Sequence, residues 1–241
     1  MTGDDSWLSR STALLGDDAM ARLAKAHVLV VGVGGVGSWC AEALARTGVG
    51  HLTLVDDDFV AASNVNRQCP ATAKTVGRRK VVVMRERLLE IKPGLDVEAV
   101  AARYPAGTSG LDLAAFDVVI DAIDSVDCKA QLVCAATEAG VPLLSSMGAA
   151  RRLDPTKVVV RRFDKVEGDG LARALRQRFK KTGRFPKMNF LCAVSTEPAL
   201  PLSPAMDGSP APKGSLMPVT CAFGMALASA ALQSLCAPSR P

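Results

Sequence analysis

Short apolar runs alternate with segments of helical periodicity through the first 150 residues of the chain. His27–Gly32 is an apolar run that ends in glycine, and His51–Asp56 is a second run that ends in an acid. Leu95–Val100, Asp117–Ala122 and Val141–Ser145 look like further strands. Runs that are apolar at successive positions predict strands buried on both faces, as in a parallel sheet.

The segments between these runs predict helices. Ser38–Thr47 is rich in alanine, Lys80–Ile91 stops before Pro93-Gly94, and Val126–Gly140 ends in glycine, which often follows the last turn of a helix. Strands that alternate with helices indicate an α/β fold. We therefore expect a Rossmann-like, mostly parallel sheet with helices on both faces.

The pattern changes after residue 150 and predicts a C-terminal α/β extension. Lys157–Phe163 and Met188–Val194 are strand-like, Leu171–Lys181 is a basic helix, and Glu197–Pro218 has the Pro, Ser and Gly content of a mobile loop. Polar residues interrupt the apolar segment Val219–Ala237, which favours a buried helix over a membrane span.

The distribution of charge divides the chain into an acidic and a basic part. Residues 1–150 contain 14 Lys and Arg against 18 Asp and Glu, whereas residues 151–241 contain 15 against 6. We expect an N-terminal helical arm over 1–26, a nucleotide-binding core over 27–150, and a basic extension within the same globular unit. A basic part of this kind suggests a polyanionic partner.

The cysteines indicate a reducing compartment. There are seven of them, an odd number, and no two form a C-x-x-C pair. The first ten residues are polar and acidic rather than signal-like. We expect a cytoplasmic protein with no membrane association and no paired-cysteine zinc site.

A glycine-rich motif follows the first strand and opens the first helix of the core. Gly32, Gly34 and Gly37 form G-x-G-x-x-G, and Asp56 ends the next strand 19 residues after Gly37. Glycines here allow a phosphate to approach the backbone at a helix N-terminus, and the acid can bind a ribose hydroxyl. The motif predicts a nucleotide and leaves NAD and ATP open.

The residues that follow favour a triphosphate over a dinucleotide. Asn64–Gln68 reads NVNRQ and Val76–Lys80 reads VGRRK, so amide and cationic side chains gather beside the glycines. Cations can neutralise charge that develops on transferring phosphates. Asp121–Ser125 ends a strand at the sheet edge where ligands bind, and a carboxylate there can hold Mg²⁺.

These motifs together resemble the ubiquitin-activating-enzyme-like superfamily, whose members adenylate a carboxylate. The resemblance rests on GVGGVGS at 32–38, the acidic and NVNRQ run at 56–68, VGRRK at 76–80 and DAIDS at 121–125. It implies ATP and Mg²⁺ as cofactors. It also implies a homodimer, because Arg10 resembles an arginine that reaches into the partner's site.

The resemblance further implies a role for each matching residue. Asp124 would coordinate magnesium and act with Arg67, Lys80 and Arg10 as the catalytic set. The residues expected to contact the nucleotide are Gly32, Gly34, Gly35, Gly37, Asp56, Asp58, Asn64, Arg67, Lys80, Asp124 and Ser125. Trp7 departs from the pattern, since relatives often place another arginine there.

Within the superfamily the chain most resembles the tRNA threonylcarbamoyladenosine dehydratases. The similar segments lie at 38–50, 121–133, 153–158 and 192–197. The resemblance implies ATP-dependent activation of the threonine carboxylate on a modified adenosine in the anticodon loop. A neighbouring nitrogen then closes a ring, with net loss of water.

The basic segment fits an RNA partner. Its seven cations, with no acid among them, are Arg173, Arg176, Arg178, Lys180, Lys181, Arg184 and Lys187. Such a stripe can bind RNA phosphates, although a solvated helix face has the same composition.

Two rival functions stay open. The first is an adenylyltransferase that activates the C-terminus of a ubiquitin-like sulfur carrier, for which sulfur-transfer partners would be needed. The missing C-x-x-C pairs argue against it, and Cys192, the candidate thioester residue, lies in an apolar run typical of a buried thiol. The second is an NAD-dependent oxidoreductase or an inactive nucleotide-binding scaffold.

Overall fold

Seven strands form one sheet in a computed structural model that describes residues 5–202 and 213–237. The strands are β1 (His27–Val31), β2 (His51–Val55), β3 (Asp96–Val100), β4 (Val118–Asp121), β5 (Leu143–Ser146), β6 (Val158–Arg162) and β7 (Leu191–Ser195). Their order across the sheet is β3-β2-β1-β4-β5-β7-β6. Neighbouring strands are parallel except β6 and β7, which are antiparallel. The predicted mostly parallel sheet is confirmed.

Helices connect the strands. They are α1 (Ser9–Leu15), α2 (Asp17–Lys25), α3 (Gly37–Arg46), α4 (Lys80–Ile91), α5 (Val126–Glu138), α6 (Gly170–Thr182) and α7 (Met217–Cys236). Short 3₁₀ turns lie at Asp5–Leu8, Ala62–Asn64, Leu113–Ala115, Pro155–Lys157 and Phe163–Lys165.

The helices cover both faces of the sheet. Successive residues of β1 pack on opposite sides: Val28 and Val30 face α3, α4 and α7, whereas Leu29 and Val31 face the side that holds α5 and α6. All four are 0–2% exposed. Burial on both faces explains why the run of β1 is continuously apolar, whereas the edge strand β3 exposes Asp96 and Glu98 and alternates.

The last helix, α7, is the one helix of the described residues that is long and apolar enough to cross a membrane. Val219, Phe223 and Leu227 on one of its faces are fully buried, and its main neighbour is α3. The helix starts two residues before the predicted position because Pro218 occupies its first turn, where no backbone N–H is required.

Two strands begin two or more residues later than predicted. β5 begins at Leu143 rather than Val141, and Pro142, which precedes it, has no N–H to donate to a neighbouring strand. β7 begins at Leu191 rather than Met188 and joins β6 to the edge of the core sheet. Of the predicted loop over 197–218, residues 203–212 lie outside the described residues.

Candidate nucleotide site

The glycine motif forms a tight loop between β1 and α3, and neighbouring backbone leaves no room for a side chain at Gly32 or Gly37. Gly32 has φ +91°, and a Cβ atom on it would lie 2.8 Å from the carbonyl oxygen of Ala122. A Cβ atom on Gly37 would overlap the carbonyl oxygen of Gly32. The backbone of this loop is thus packed against the end of β4, and its open side faces the N-terminus of α3, where an anion is favoured.

Asp56 fastens the glycine loop to the end of β2. Its Oδ2 accepts the N–H of Val33 at 2.8 Å, and its Oδ1 accepts the N–H of Asp58 at 2.9 Å. Burial raises the pKa of the Asp56 carboxyl, while the nearby charge of Lys80 and these hydrogen bonds oppose the rise. Its position beside the glycines is the one expected for a ribose-binding acid.

A lysine and an asparagine lie on the segment after β2. Lys80, which is 5% exposed, donates from Nζ to Asp58 Oδ2 at 2.7 Å. Asn64 Oδ1 accepts the N–H of Ala61 at 3.1 Å and so shapes the 3₁₀ turn. The structure therefore brings Lys80 and Asp58 together, next to Asp56.

Arg67 lies against the glycine loop. Its Cγ is 3.5 Å from the position that a Cβ atom of Gly35 would take, and its guanidinium donates to Ser63 O and Asn66 Oδ1, each at 2.9 Å. Trp39 on α3 donates from Nε1 to the carbonyl of Arg67 at 2.9 Å. Arg67 is thus held over the loop by a residue that sequence reasoning did not identify.

Gln68 is a second residue that the sequence analysis missed. It is 8% exposed, its Nε2 faces Gly34, and its Oε1 is buried without a partner. It belongs to the NVNRQ run, which drew attention to Asn64 and Arg67 but not to the neighbouring amide.

Asp124 lies at the same edge of the sheet, two residues beyond the strand end that contacts Gly32. β4 pairs with β1 through Val31 and Asp121, and Ala122 donates to Val31 O at 2.8 Å. Asp124 itself is exposed, and no described residue forms a hydrogen bond or ion pair with it. Ser125 follows at the N-terminal end of α5 and its hydroxyl makes no capping hydrogen bond.

A buried charge network lies directly beneath this turn, and the sequence analysis did not predict it. Asp121 and Lys129 are both fully buried, and Lys129 Nζ contacts Asp121 Oδ2 at 2.6 Å. Ser145 on β5 donates to the same oxygen at 2.6 Å. The sequence signal for this network was a lysine within the apolar face of α5.

Three acidic residues at the end of β2 form a carboxylate cluster in the described part of the chain. Oxygen atoms of Asp56, Asp57 and Asp58 lie within 4.8 Å of one another. Lys80 forms an ion pair with Asp58, and Asp56 accepts two backbone N–H groups. Two of the three carboxylates therefore already have partners within the chain.

Arg10 stands apart from these residues. It is exposed on α1, a helix that buries none of its residues, and it has no hydrogen bond or ion pair with the described part of its own chain. Leu14 on the same helix is 84% exposed, and Trp7 just before it is 41% exposed.

Three arginines of the basic segment form hydrogen bonds or ion pairs within the chain. Arg176 donates to the carbonyls of Phe163 and Val166, Arg178 pairs with Asp127 at 2.8 Å, and Arg184 pairs with Glu138 at 3.7 Å. Arg173, Lys180, Lys181 and Lys187 are exposed and form no ion pair with described residues.

Cys192 lies in β7, opposite Ser145 of β5, and is fully buried. Burial strongly raises the pKa of its thiol. A thiol that is neutral and shielded from solvent is a packing group and a poor nucleophile.

Comparison with known proteins agrees with this geometry. A tRNA threonylcarbamoyladenosine dehydratase of Escherichia coli (strain K12) is 40% identical over 202 residues, which are 80% of this chain and 75% of the relative. A crystal structure of the E. coli tRNA N6-threonylcarbamoyladenosine dehydratase in complex with ATP is 36% identical, has a TM-score of 0.83, and covers 98% of this chain and 97% of its own.

A second group is similar over a shorter region. A molybdopterin-synthase adenylyltransferase of Salmonella typhimurium (strain LT2) is 40% identical over 132 residues, or 55% of this chain and 52% of the relative. The ThiF family model matches residues 8–241, which include the glycine loop, the NVNRQ run and the turn after β4. The chain is therefore a member of the ThiF family.

Proposed function

We propose that this protein is an ATP-dependent tRNA threonylcarbamoyladenosine dehydratase. The observation that supports the proposal is the contact between the glycine loop and Ala122, which follows β4 and lies two positions before Asp124. Relatives with this name match three quarters or more of the chain. One solved relative carries ATP and covers nearly all of it.

In the proposed reaction a carboxylate oxygen of the substrate attacks the α-phosphorus of ATP, and pyrophosphate leaves. The carbamoyl nitrogen of the same modified base then attacks the activated carbonyl carbon and loses its proton. The C–O bond to AMP breaks, which gives the cyclic base and AMP. No protein nucleophile is required, in agreement with the buried position of Cys192.

Each group of the site has a task in this scheme. The backbone of the glycine loop and the N-terminus of α3 bind phosphate, and Asp56 accepts the ribose hydroxyls. Arg67 and Lys80 neutralise charge on the α-phosphate and the leaving group, and the Asn64 amide donates a hydrogen bond to a phosphate oxygen. Lys80 is released from Asp58 when phosphate replaces that carboxylate as its partner.

Mg²⁺ fits the donor set at the sheet edge. Asp124 offers an exposed carboxylate that forms no hydrogen bond or ion pair with a described residue, although the charge of Arg103 acts on it, and oxygen ligands suit this ion. The ion would supply positive charge against the triphosphate. Asp124 has the further task of orienting the incoming carboxylate.

The experiment for the proposed function uses purified protein, ATP, Mg²⁺ and tRNA that carries the open threonylcarbamoyl base. Mass spectrometry of the digested nucleosides is expected to show a base lighter by one water, dependent on ATP. If the base keeps its mass under saturating ATP, while pyrophosphate exchange depends on a small protein ending in Gly-Gly, the carrier-protein adenylyltransferase is the correct assignment instead.

We also propose that the active form is a homodimer in which Arg10 serves the partner's site. A seven-residue helix is marginal in isolation, and no residue of α1 is fully buried in this chain, although Leu15 packs against the core, so a partner's surface would add stabilisation. The exposed Leu14 and Trp7 offer apolar contacts for that purpose.

Mixing two inactive variants tests this arrangement. Arg10→Ala and Asp124→Ala are each expected to be inactive, whereas a refolded equimolar mixture should regain about one quarter of the wild-type activity. Random pairing makes about half of the dimers hybrid, and each hybrid has one intact site. A mixture as inactive as its components would place Arg10 in its own subunit's site or outside any site.

The exposed cations of the basic segment are the proposed contacts to tRNA phosphates. Lys180→Glu with Lys181→Glu should weaken tRNA binding and reduce the slope of log affinity against log salt by about two, because each phosphate contact contributes about one to that slope. Lys25→Glu, an exposed lysine on α2, serves as the matched control and should change neither quantity. An unchanged salt slope in the double variant would leave these lysines as a solvated helix face.

A further inference from the structure

The turn that carries Asp124 has a buried electrostatic support. Asp121, the last residue of β4, uses both carboxylate oxygens: Oδ1 accepts the N–H of Ile123 at 3.1 Å, and Oδ2 accepts Lys129 Nζ at 2.6 Å. Ser145 Oγ, on the adjacent strand β5, donates to Oδ2 at 2.6 Å and lies 3.2 Å from Lys129 Nζ. The side chains of Asp121 and Lys129 are fully buried.

The network joins three elements that meet at the turn. Asp121 belongs to β4, Ser145 belongs to β5, and Lys129 lies in the first turns of α5, where its N–H bonds the carbonyl of Ser125. The segment 122–125 is therefore held at its start by Asp121 and at its end by α5, with a direct ion pair between the two anchors.

Stability alone is a weak reason for such a pair. Removing two charges from water costs free energy that their attraction regains only in part, and apolar replacements of similar volume are often neutral or stabilising. An apolar pair at these positions would fill the same space. It could not accept the Ile123 N–H, nor fix the angle at which the turn leaves β4.

We propose that Lys129 and Asp121 are positioning residues for the adenylation chemistry. Lys129 fixes the Asp121 carboxylate, Asp121 fixes the Ile123 backbone, and the turn presents Asp124 to the phosphates and the incoming carboxylate. Neither residue touches the substrate. This positioning role rests on the proposed function in one respect, since that function supplies the reaction whose rate Lys129 and Asp121 control.

The first test compares Lys129→Met with Leu132→Ala. Methionine keeps the length of the lysine and removes its charge. Leu132 is a fully buried residue on the same helix with no polar contact, so its truncation destabilises α5 without touching the turn. Because small displacements of reacting groups are costly, Lys129→Met should lower kcat for the modified tRNA by about 100-fold, with the KM for ATP within about threefold of wild type. Leu132→Ala should lower the melting temperature and leave kcat within about twofold.

The second test measures the turn directly by amide hydrogen exchange of the free protein. Peptides that contain Ile123 should exchange faster in Lys129→Met than in wild type, and those same peptides should be unchanged in Leu132→Ala. If Lys129→Met unfolds, Asp121→Asn combined with Lys129→Met removes both charges and keeps an oxygen near Ile123. That variant should fold, and its kcat should still be lower than that of the wild-type protein.

The outcomes separate this proposal from the proposed function. Wild-type kcat in a folded Lys129→Met protein, or unchanged exchange around Ile123, would overturn the positioning role. If wild-type protein does not convert the tRNA, the proposed function fails, and the exchange result alone decides whether Lys129 holds the turn.

Discussion

Replacement of Asp124 by alanine is expected to reduce turnover of the modified tRNA by about 10³-fold or more, with the fold and ATP binding retained. The side chain is exposed and forms no hydrogen bond or ion pair with a described residue, so its removal should leave the fold intact. Loss of a group that acts on charge developing in the transition state typically costs two to three orders of magnitude, or about 3–4 kcal/mol. Single-turnover kinetics at saturating ATP measures the effect.

Two further variants define what Asp124 contributes. Asp124→Asn keeps the shape of the side chain and removes its charge, and should be nearly as inactive as the alanine variant. Asp127→Ala removes an acid three residues later whose ion pair within the described part of the chain is with Arg178, and should keep turnover within about twofold at saturating tRNA. An Asp124→Asn protein with wild-type turnover would refute the electrostatic role.

The glycines of the loop should separate a folding effect from a binding effect. Gly37→Ala places a methyl group on the Gly32 carbonyl oxygen, in backbone that cannot yield, so we expect a drop in melting temperature that corresponds to about 3 kcal/mol or more. Gly34→Ala meets only Gln68 Nε2 at 3.8 Å, an ordinary contact. It should fold normally and obstruct the approach of a phosphate.

Calorimetry and thermal unfolding together test this pair of variants. Gly34→Ala is expected to bind ATP about 100-fold more weakly than wild type with an unchanged melting temperature, because the methyl group occupies the space where the backbone meets phosphate. Equal ATP affinity in Gly34→Ala and wild type would mean that the phosphates lie elsewhere.

The fold follows from the sequence because local patterns and global topology agree. Strand runs such as His27–Val31 are apolar on both faces, and the sheet buries both faces. The exceptions are boundaries: Pro142 delays β5, and Pro218 fits into the first turn of α7. Proline's missing N–H has opposite consequences in these two places, since a strand needs that donor and the first turn of a helix does not.

The site was predictable only where a motif brings its members close along the chain. The glycines and Asp56 follow one strand–loop–helix pattern, and the structure places them together. Trp39 and Gln68 support the site through contacts that depend on how α3 meets the segment after β2. The pair of Lys129 and Asp121 is separated by eight residues and by a turn, so only the folded chain shows that the lysine is buried.

The basic segment illustrates the limit of reading charge from composition. Arg178 and Arg184 pair with Asp127 and Glu138, the second and last residues of α5, so these two cations contact a neighbouring helix. Their partners lie in a different part of the chain, and a count of cations within 171–187 cannot reveal them. The prediction of RNA binding therefore rests on the lysines that form no ion pair with a described residue.

This protein is expected to activate a substrate carboxylate on the α-phosphorus of ATP. Substrate tRNA whose threonine carboxylate is labelled with oxygen-18 allows this step to be followed, by mass spectrometry of the nucleotide products after one turnover. We expect one labelled oxygen in AMP, because the attacking oxygen leaves with it when the ring closes. Label in inorganic phosphate, or ring closure with no labelled nucleotide, would rule out attack on the α-phosphorus.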